Sequence, residues 1–263
     1  MRQGSPNIHP TAIIDPSAVI DPSVKIGAYS IIGPEVSIGA DTVSAPHVVV
    51  DGWTRIGQRN RSFQFASIGA ECQDLKYQGE ETWLEIGDDN SIREACSLHR
   101  GTAQDGGITK IGSHNLLMVN THIAHDCVVG DHCILANNVG VAGHVNIGDW
   151  VILGGNSGVH QFCRIDSFSM VGGGSVILKD VPAYVMVSGN PASAHGMNYE
   201  GMRRRGWSSA TINALRLAFK VVYRQNLTTA QAIAQLTEDF LPNHPEVQLL
   251  IDSLQQSKRG IIR

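Results

Sequence analysis

Along most of the chain an aliphatic residue returns at every sixth position, with polar or small residues between. Ile8, Ile14, Ile20, Ile26, Ile32 and Ile38 open the series, and Val50, Ile56, Ile68, Ile86, Ile92 and Leu98 keep its register. After an interruption the count resumes one residue out of phase at Ile111. It then runs through Leu117, Ile123, Val129, Leu135, Val141, Ile147, Leu153, Val159, Ile165 and Val171 to Ile177. A small residue tends to follow each aliphatic one, as at Gly27, Gly39, Gly112 and Gly148. A second compact side chain sits four places after it, as at Ser30, Thr42, Ala66, Thr121 and Cys133. A fixed short period marks a solenoid, and a six-residue one a parallel β-helix. Three hexads make a triangular coil, each side a short strand. Coils stacked at ~4.8 Å with the aliphatic residue inward, roughly ten of them, give a prism on the order of 45–50 Å long. Each coil buries its core only against its neighbours, so the ends need covers.

Two stretches break the rhythm. In 70–85, AECQDLKYQGEETWLE, the inward slots fall on Asp74 and Glu80, so this segment is expected to leave the prism as a loop. The glycine-rich stretch 100–110, RGTAQDGGITK, absorbs the phase slip as a second loop. Excursions from a regular scaffold often carry function. The repeats place a β-helical domain at 1–191 and leave 192–263 as an α-helical domain, entered through the Gly/Pro-rich stretch 189–196. Ile212, Leu215, Phe219 and Val222 recur at helical spacing within 208–225, and 228–241 repeats the theme behind an N-capping Thr228 or Thr229. After Pro242 and Pro245 a third helix is expected over 246–257. Such a bundle would cover the open end of the prism.

Charge refines this picture. The net charge of −4 argues against general nucleic-acid binding. Its distribution is uneven: residues 1–195 carry 11 Lys/Arg against 19 Asp/Glu, residues 196–263 carry 9 against 5. That asymmetry can steer an acidic partner toward the C-terminal part, although it also suits a solvated helical surface. No apolar run is long enough for a membrane span, and Met1 to Pro10 lack the features of a signal peptide. The five cysteines lack CxxC spacing; Cys127, Cys133 and Cys163 fill compact slots, and they read as reduced core residues of a cytoplasmic protein.

Stacking decides which distant residues meet. With a coil of 18 residues, His125, Gly143 and Gln161 share one edge of three successive coils, ~5 Å apart, and His144 lies above Asp126. His99, His122, His125, His144 and His160 crowd the same region, at turn positions that point outward. One chemistry fits without a cofactor or metal. An imidazole titrating near neutrality can take a proton from an alcohol. Asp126 can hold its tautomer, and the bare N–H of Gly143 can approach a developing oxyanion. His125 and Gly143 therefore suit attack of a hydroxyl on a thioester. The residues preceding the inward aliphatics face outward, and on one side they are Leu116, Ile134, Ile152 and Met170. A monomer rarely exposes such a stripe. A subunit interface is expected there, and three-fold closure suits a three-sided prism.

The stretches SFQFASIG (62–69), QDLKYQGE (73–80), IREACSLHRGT (92–102), NLLMVNTHIAHDCVVG (115–130), ILANNVGVAGHV (134–145), VHQFC (159–163) and GMNYEGMRRRG (196–206) add specificity that the hexads lack. On these, effectively end to end, the chain resembles the UDP-N-acetylglucosamine O-acyltransferase family, which performs the first step of lipid A synthesis. The resemblance implies left-handed coils, against the general preference for right-handed crossovers. It implies a homotrimer with sites between subunits, moving an R-3-hydroxyacyl group from acyl carrier protein to the glucosamine 3-hydroxyl of UDP-N-acetylglucosamine. It further implies His125 as general base, Asp126 as its orienting partner, Gly143 as oxyanion donor and Asp74 as a sugar ligand. By the same likeness Lys76, His99, His122, His144, His160 and Gln161 line the substrate cleft. Asn198, Glu200, Arg204 and Arg205 match the nucleotide-binding stretch, where arginine suits a diphosphate. Gly173 lies where the family closes its acyl groove, and its missing side chain is expected to favour a longer chain or merely to relieve crowding at a corner. Trp53, Trp83 and Trp150 are expected to touch no catalytic group.

Three rivals are weaker. A zinc lyase built on His122 and His125 gives no role to the QDLKY loop or the arginine-rich helix. The sister N-acyltransferase needs an N-terminal domain, and the hexads begin at Ile8. A structural or ice-binding solenoid needs a regular threonine-rich face, and the outward rows here are irregular and histidine-rich.

Overall fold

The computed structural model describes residues 7–263, so the first six residues of the leader-free start expected above lie outside the described part. Two-residue strands recur at each hexad and stack into three sheets of a parallel β-helix, as the period predicts, with the left-handed coils that the resemblance implies. One sheet has nine strands, from Ile13–Ile14 to Val176–Ile177, and a second has eight, from Val19–Ile20 to Arg164–Ile165. The third has ten, beginning at Lys25–Ile26. Register follows the repeat: Ile32 pairs with Val50, and Val141 with Val159. The inward aliphatics of one column, Ile32, Ile68, Leu98, Ile123, Val141 and Ile177, are fully buried. Polar residues in the compact slots, four places after the aliphatic ones, are satisfied by stacking. Asn60 Oδ1 accepts from the Asn90 N–H, Asn90 Oδ1 from the Asn115 N–H, and Asn115 Oδ1 from the Cys133 N–H, at 2.9, 2.9 and 2.7 Å. Such an internal ladder keeps buried amides paired.

Most corners turn through a residue of left-handed backbone, among them Asp126 (φ 58), Asn138 (φ 60), His144 (φ 61) and Trp150 (φ 60). That conformation costs a non-glycine residue about 1–2 kcal/mol, and stacking along each edge offsets part of it. Asn120, Asn138 and Asn156 form a hydrogen-bonded ladder, and His114, His132 and Trp150 stack with centroids 4.7 and 4.0 Å apart. The five cysteines are free and buried, and burial raises the Cys127 and Cys133 thiols to about 12, which makes them unreactive.

Both rhythm breaks leave the wall, but over shorter spans than expected: the strand Trp83–Ile86 takes back the end of 70–85, and Ile108–Ile111 the end of 100–110. Ile68 pairs with Leu98 across the first and Leu98 with Ile123 across the second, so the core column continues past each insertion. The second loop contains one 3-10 turn, Ala103–Asp105. The stretch 189–196 is more ordered than an exit. Val185–Gly189 and Ala192–Met197 form an antiparallel hairpin that extends the ten-stranded sheet.

Four helices follow: α1 (Tyr199–Arg204), α2 (Ser209–Arg224), α3 (Thr229–Asp239) and α4 (Val247–Gln256). Thr228, one of the two caps expected for α3, forms a capping box with Gln231, and Ser208 caps α2. The helices cover the last coils. Tyr184 is fully buried and its hydroxyl donates to the Glu246 carbonyl (2.8 Å), while buried Asp180 accepts from Ser257 Oγ (2.7 Å) and the Arg259 N–H (3.3 Å). Among the described residues no helix is long and apolar enough to cross a membrane.

Candidate active site

A cleft of ≈ 880 Å³ runs along one face of the middle coils. Asp74, Lys76, His99, His122, His125, Gly143, His144, His160 and Gln161 all line it. Vertical stacking brings the central pair together as the 18-residue coil requires. A Cβ built on Gly143 would lie 2.7 Å from His125 Nε2 and 2.6 Å from Cε1, so only glycine leaves the imidazole its place. The Gly143 N–H donates to no protein acceptor among the described residues.

Behind the ring, His125 Nδ1–H donates to Asp126 Oδ2 at 2.8 Å. The two side chains are 16% and 1% exposed, so the aspartate is sealed and the ring keeps one open edge. Fixing Nδ1 as the donor leaves Nε2 as the unprotonated nitrogen. His144 stands edge-on to His125 with centroids 5.0 Å apart, stacks on Phe162, and donates from Nδ1 to Asp105 Oδ2 at 2.6 Å. His122 shares a 2.7 Å hydrogen bond with Ser97 Oγ, and the ring of exposed His160 bonds its neighbour's carbonyl, Gln161 O, at 3.0 Å.

The expectation that none of these histidines is internal fails at His99. It is 6% exposed, its Nδ1 has no partner, and its ring sits 4.9 Å edge-on to His122. The reason lies in the insertion: Arg100, directly after it, is itself buried. Its guanidinium donates to Gly69 O (2.7 Å) and to Tyr77 Oη (3.1 Å), pinning the first loop over this part of the prism. Burial, then His122, His125 and Arg100, lower the His99 pKa from 6.5 to about 4, and burial lowers that of His122. The unfolded chain therefore binds more protons than the folded one from about pH 6.5 down to about 4, and stability falls as pH drops through that window. His99→Gln is expected to flatten this limb of the melting temperature against pH. An unaltered slope would place the acid sensitivity elsewhere.

Five sequence candidates lie apart from the cleft. Gly173 packs on the preceding coil, where its Cβ would lie 3.3 Å from Gly155 O. Asn198 caps α1, accepting from the Gly201 N–H at 3.0 Å and donating to Phe168 O at 3.1 Å. Glu200 pairs with Arg204 on the exposed side of that helix at 3.1 Å. Arg205 lies with its guanidinium 4.5 Å above Trp150, a contact with a nucleotide-binding candidate and not with a catalytic group. Arg100, Thr102, Asp105 and Phe162 belong to the site's surroundings but carry no signal in the hexad pattern.

His125, Asp126 and His144 form the only group of three among the described residues whose ligand-type atoms lie within 4.8 Å of one another. Their near atoms are already engaged. His125 Nδ1 is on Asp126, His144 Nδ1 is on Asp105, and both Asp126 oxygens accept from Thr102. The arrangement is a hydrogen-bonded network in which Nε2 of His125 and Nε2 of His144 have no protein partner among the described residues.

The chain is similar to known proteins in sequence and in fold. Residues 180–262 match the family described as UDP N-acetylglucosamine O-acyltransferase, domain 2, and residues 108–143 match the bacterial transferase hexapeptide (six repeats). An acyl-[acyl-carrier-protein]–UDP-N-acetylglucosamine O-acyltransferase of Psychrobacter sp. (strain PRwf-1) is 71% identical over 97% of this chain and 99% of its own length. The structure of LpxA from Acinetobacter baumannii superposes with a TM-score of 0.96 at 70% identity, covering 98% of this chain and 100% of that one. A UDP-N-acetylglucosamine O-acyltransferase structure from Moraxella catarrhalis gives 0.97 at 62% identity, with the same two coverages.

Proposed function

The chain belongs to the UDP-N-acetylglucosamine O-acyltransferase family, and from that premise we propose that it transfers an R-3-hydroxyacyl group from acyl carrier protein to the glucosamine 3-hydroxyl of UDP-N-acetylglucosamine. His125 Nε2 takes the proton of that hydroxyl as its oxygen attacks the thioester carbonyl carbon. The carbonyl oxygen becomes an oxyanion and accepts from the Gly143 N–H. Collapse breaks the carbon–sulfur bond, and the imidazolium returns its proton to the departing thiolate. Asp126 keeps Nδ1 protonated and stabilises the imidazolium. The single observation that carries this reading is the free Nε2 directly below Gly143, with the opposite nitrogen fixed on a sealed carboxylate.

The cleft holds groups suited to the rest of the substrate. Asp74 and Lys76 approach from the first loop, and His122, His144, His160 and Gln161 present polar edges along its length. The nucleotide end is assigned to Glu200, Arg204 and Arg205, with Asn198 shaping the start of their helix. None of these lines the cleft of its own chain, and Arg205 stands over Trp150, which belongs to the column of His114 and His132 and not to the edge of His125. A site completed between subunits reconciles the two, with Gly173 at the far end of the acyl groove.

A homotrimer closes such sites. Its support is the outward row Leu116, Ile134, Ile152 and Met170, and Leu75, fully exposed in the first loop beside Asp74 and Lys76. Ile152→Asp is expected to place an unpaired carboxylate in the interface and convert the trimer to monomers, with activity lost in parallel. Sedimentation checks this: a stable wild-type monomer, or an Asp variant that stays trimeric, counts against the interface. Acyl transfer is tested by incubating the protein with UDP-N-acetylglucosamine and a panel of hydroxyacyl carrier-protein thioesters and looking for the ester.

A further inference from the structure

The second insertion, which shifts the hexad phase, returns its chain to the buried side of the dyad. Thr102, 1% exposed, donates its backbone N–H to Asp126 Oδ1 at 2.7 Å and its hydroxyl to Asp126 Oδ2 at 2.6 Å. Asp126 Oδ2 is the oxygen that holds His125 Nδ1. A third contact, from the Asp126 N–H to Thr109 Oγ1 at 2.8 Å, fixes the backbone from the strand Ile108–Ile111 that follows the insertion. The neck is closed at Gly101, where any side chain would strike the backbone of Ile108. Three residues after Thr102, Asp105 reaches out to His144.

We propose that Thr102 is a positioning residue for acyl transfer. Its two donors hold the Asp126 carboxylate in the plane that aims His125 Nε2 at the substrate hydroxyl. The insertion that carries it is thus the part of the fold that converts a corner histidine into an aimed base. This rests on the reading of His125 as the general base.

A carboxylate has a limited set of lone pairs, and each donor shares its charge. The Thr102 hydroxyl and the His125 N–H compete for Oδ2. Removing the hydroxyl leaves more negative charge facing His125 and favours the imidazolium. Histidine must be neutral to accept the proton, so the acid limb of kcat then moves to higher pH. The freed carboxylate also loses its fixed plane, which lowers the rate at every pH. The other titratable groups around the dyad are His144 with Asp105 on the coil above, His99 and His122 on the cleft wall, and Cys72, Asp74 and Lys76 in the first loop. None of them changes in the test.

The experiment compares full-length wild type with Thr102→Val, Thr102→Ser and His125→Ala in acyl transfer across pH, with thermal unfolding and sedimentation alongside. Valine keeps the shape and the backbone N–H, so only the hydroxyl is lost. Hydrogen bonds to charged groups of this kind correspond to about a 10-fold change. Thr102→Val is therefore expected to lose kcat by about that factor and to shift its acid limb upward, with KM held within about twofold. Thr102→Ser is expected to restore both kcat and the limb. Wild-type kcat and pH profile in the Val variant overturn the proposal, as does a loss that Ser does not reverse. If valine prevents folding, Thr102→Ala against Thr102→Ser makes the same comparison. A fully active His125→Ala would instead sink the base assignment beneath it, and is recognisable because it appears in a protein whose Thr102 is intact.

Discussion

Replacing His125 by alanine is expected to lower the rate of ester formation by about 10²–10⁴-fold, the usual share of a general base, while leaving the melting temperature near that of wild type. The ring lies on the cleft wall with one open edge, and its removal empties no part of the hydrophobic column. The loss should fall on kcat, because Nε2 acts on a proton that moves only as the oxygen attacks. Steady-state assays with UDP-N-acetylglucosamine and the hydroxyacyl thioester check this. Equal turnover by the variant would remove the proposed base. The same experiment separates this site from a structural solenoid, which would show no turnover in either form.

Gly143→Ala is the second large effect, and its cause is steric. The added methyl would stand 2.6–2.7 Å from the His125 ring. Gly143 lies outside the left-handed region, so alanine meets no backbone strain there. The imidazole is the movable partner, and it can yield only by leaving its hydrogen bond to Asp126. A displacement of about 1 Å from productive geometry costs on the order of 10²-fold in rate. The methyl also crowds the approach of a carbonyl oxygen to the N–H. A loss of about that size in kcat with an unchanged melting temperature is expected. A variant with wild-type kcat would show that this corner neither aims the ring nor holds the oxyanion.

The sequence made the prism legible because its core is built by nearest-neighbour stacking. One aliphatic slot per hexad is enough to locate Ile123, Val141 and Val159 in a single column, and the same count puts Gly143 above His125. The cap of α3 was legible for a similar reason: Thr228 acts on backbone groups a few residues away. The insertions were legible only as interruptions. A broken period announces that the chain leaves the wall but says nothing of where it returns. Thr102 on Asp126, Asp105 on His144 and Arg100 on Tyr77 are contacts of irregular segments. They depend on loop conformation, which no repeat encodes.

His99 shows the consequence. It ends the strand Ser97–His99 instead of standing at an outward turn, and Arg100 and the first loop enclose it. The hairpin at 185–197 was hidden likewise, because a Gly/Pro-rich stretch marks a turn without saying that the flanking residues pair. Arg205 over Trp150 joins a helix to a corner of the prism, a tertiary contact with no local spacing to reveal it.

The most direct test of the account is a crystal structure of the trimer with the acylated sugar nucleotide bound. The expected result places the ester oxygen on the sugar's third carbon within hydrogen-bond reach of His125 Nε2, roughly 2.6–3.2 Å, and the acyl carbonyl oxygen toward the Gly143 N–H. A sugar nucleotide bound with its glucosamine far from both groups, in a cleft that leaves the imidazole facing only solvent, would contradict it.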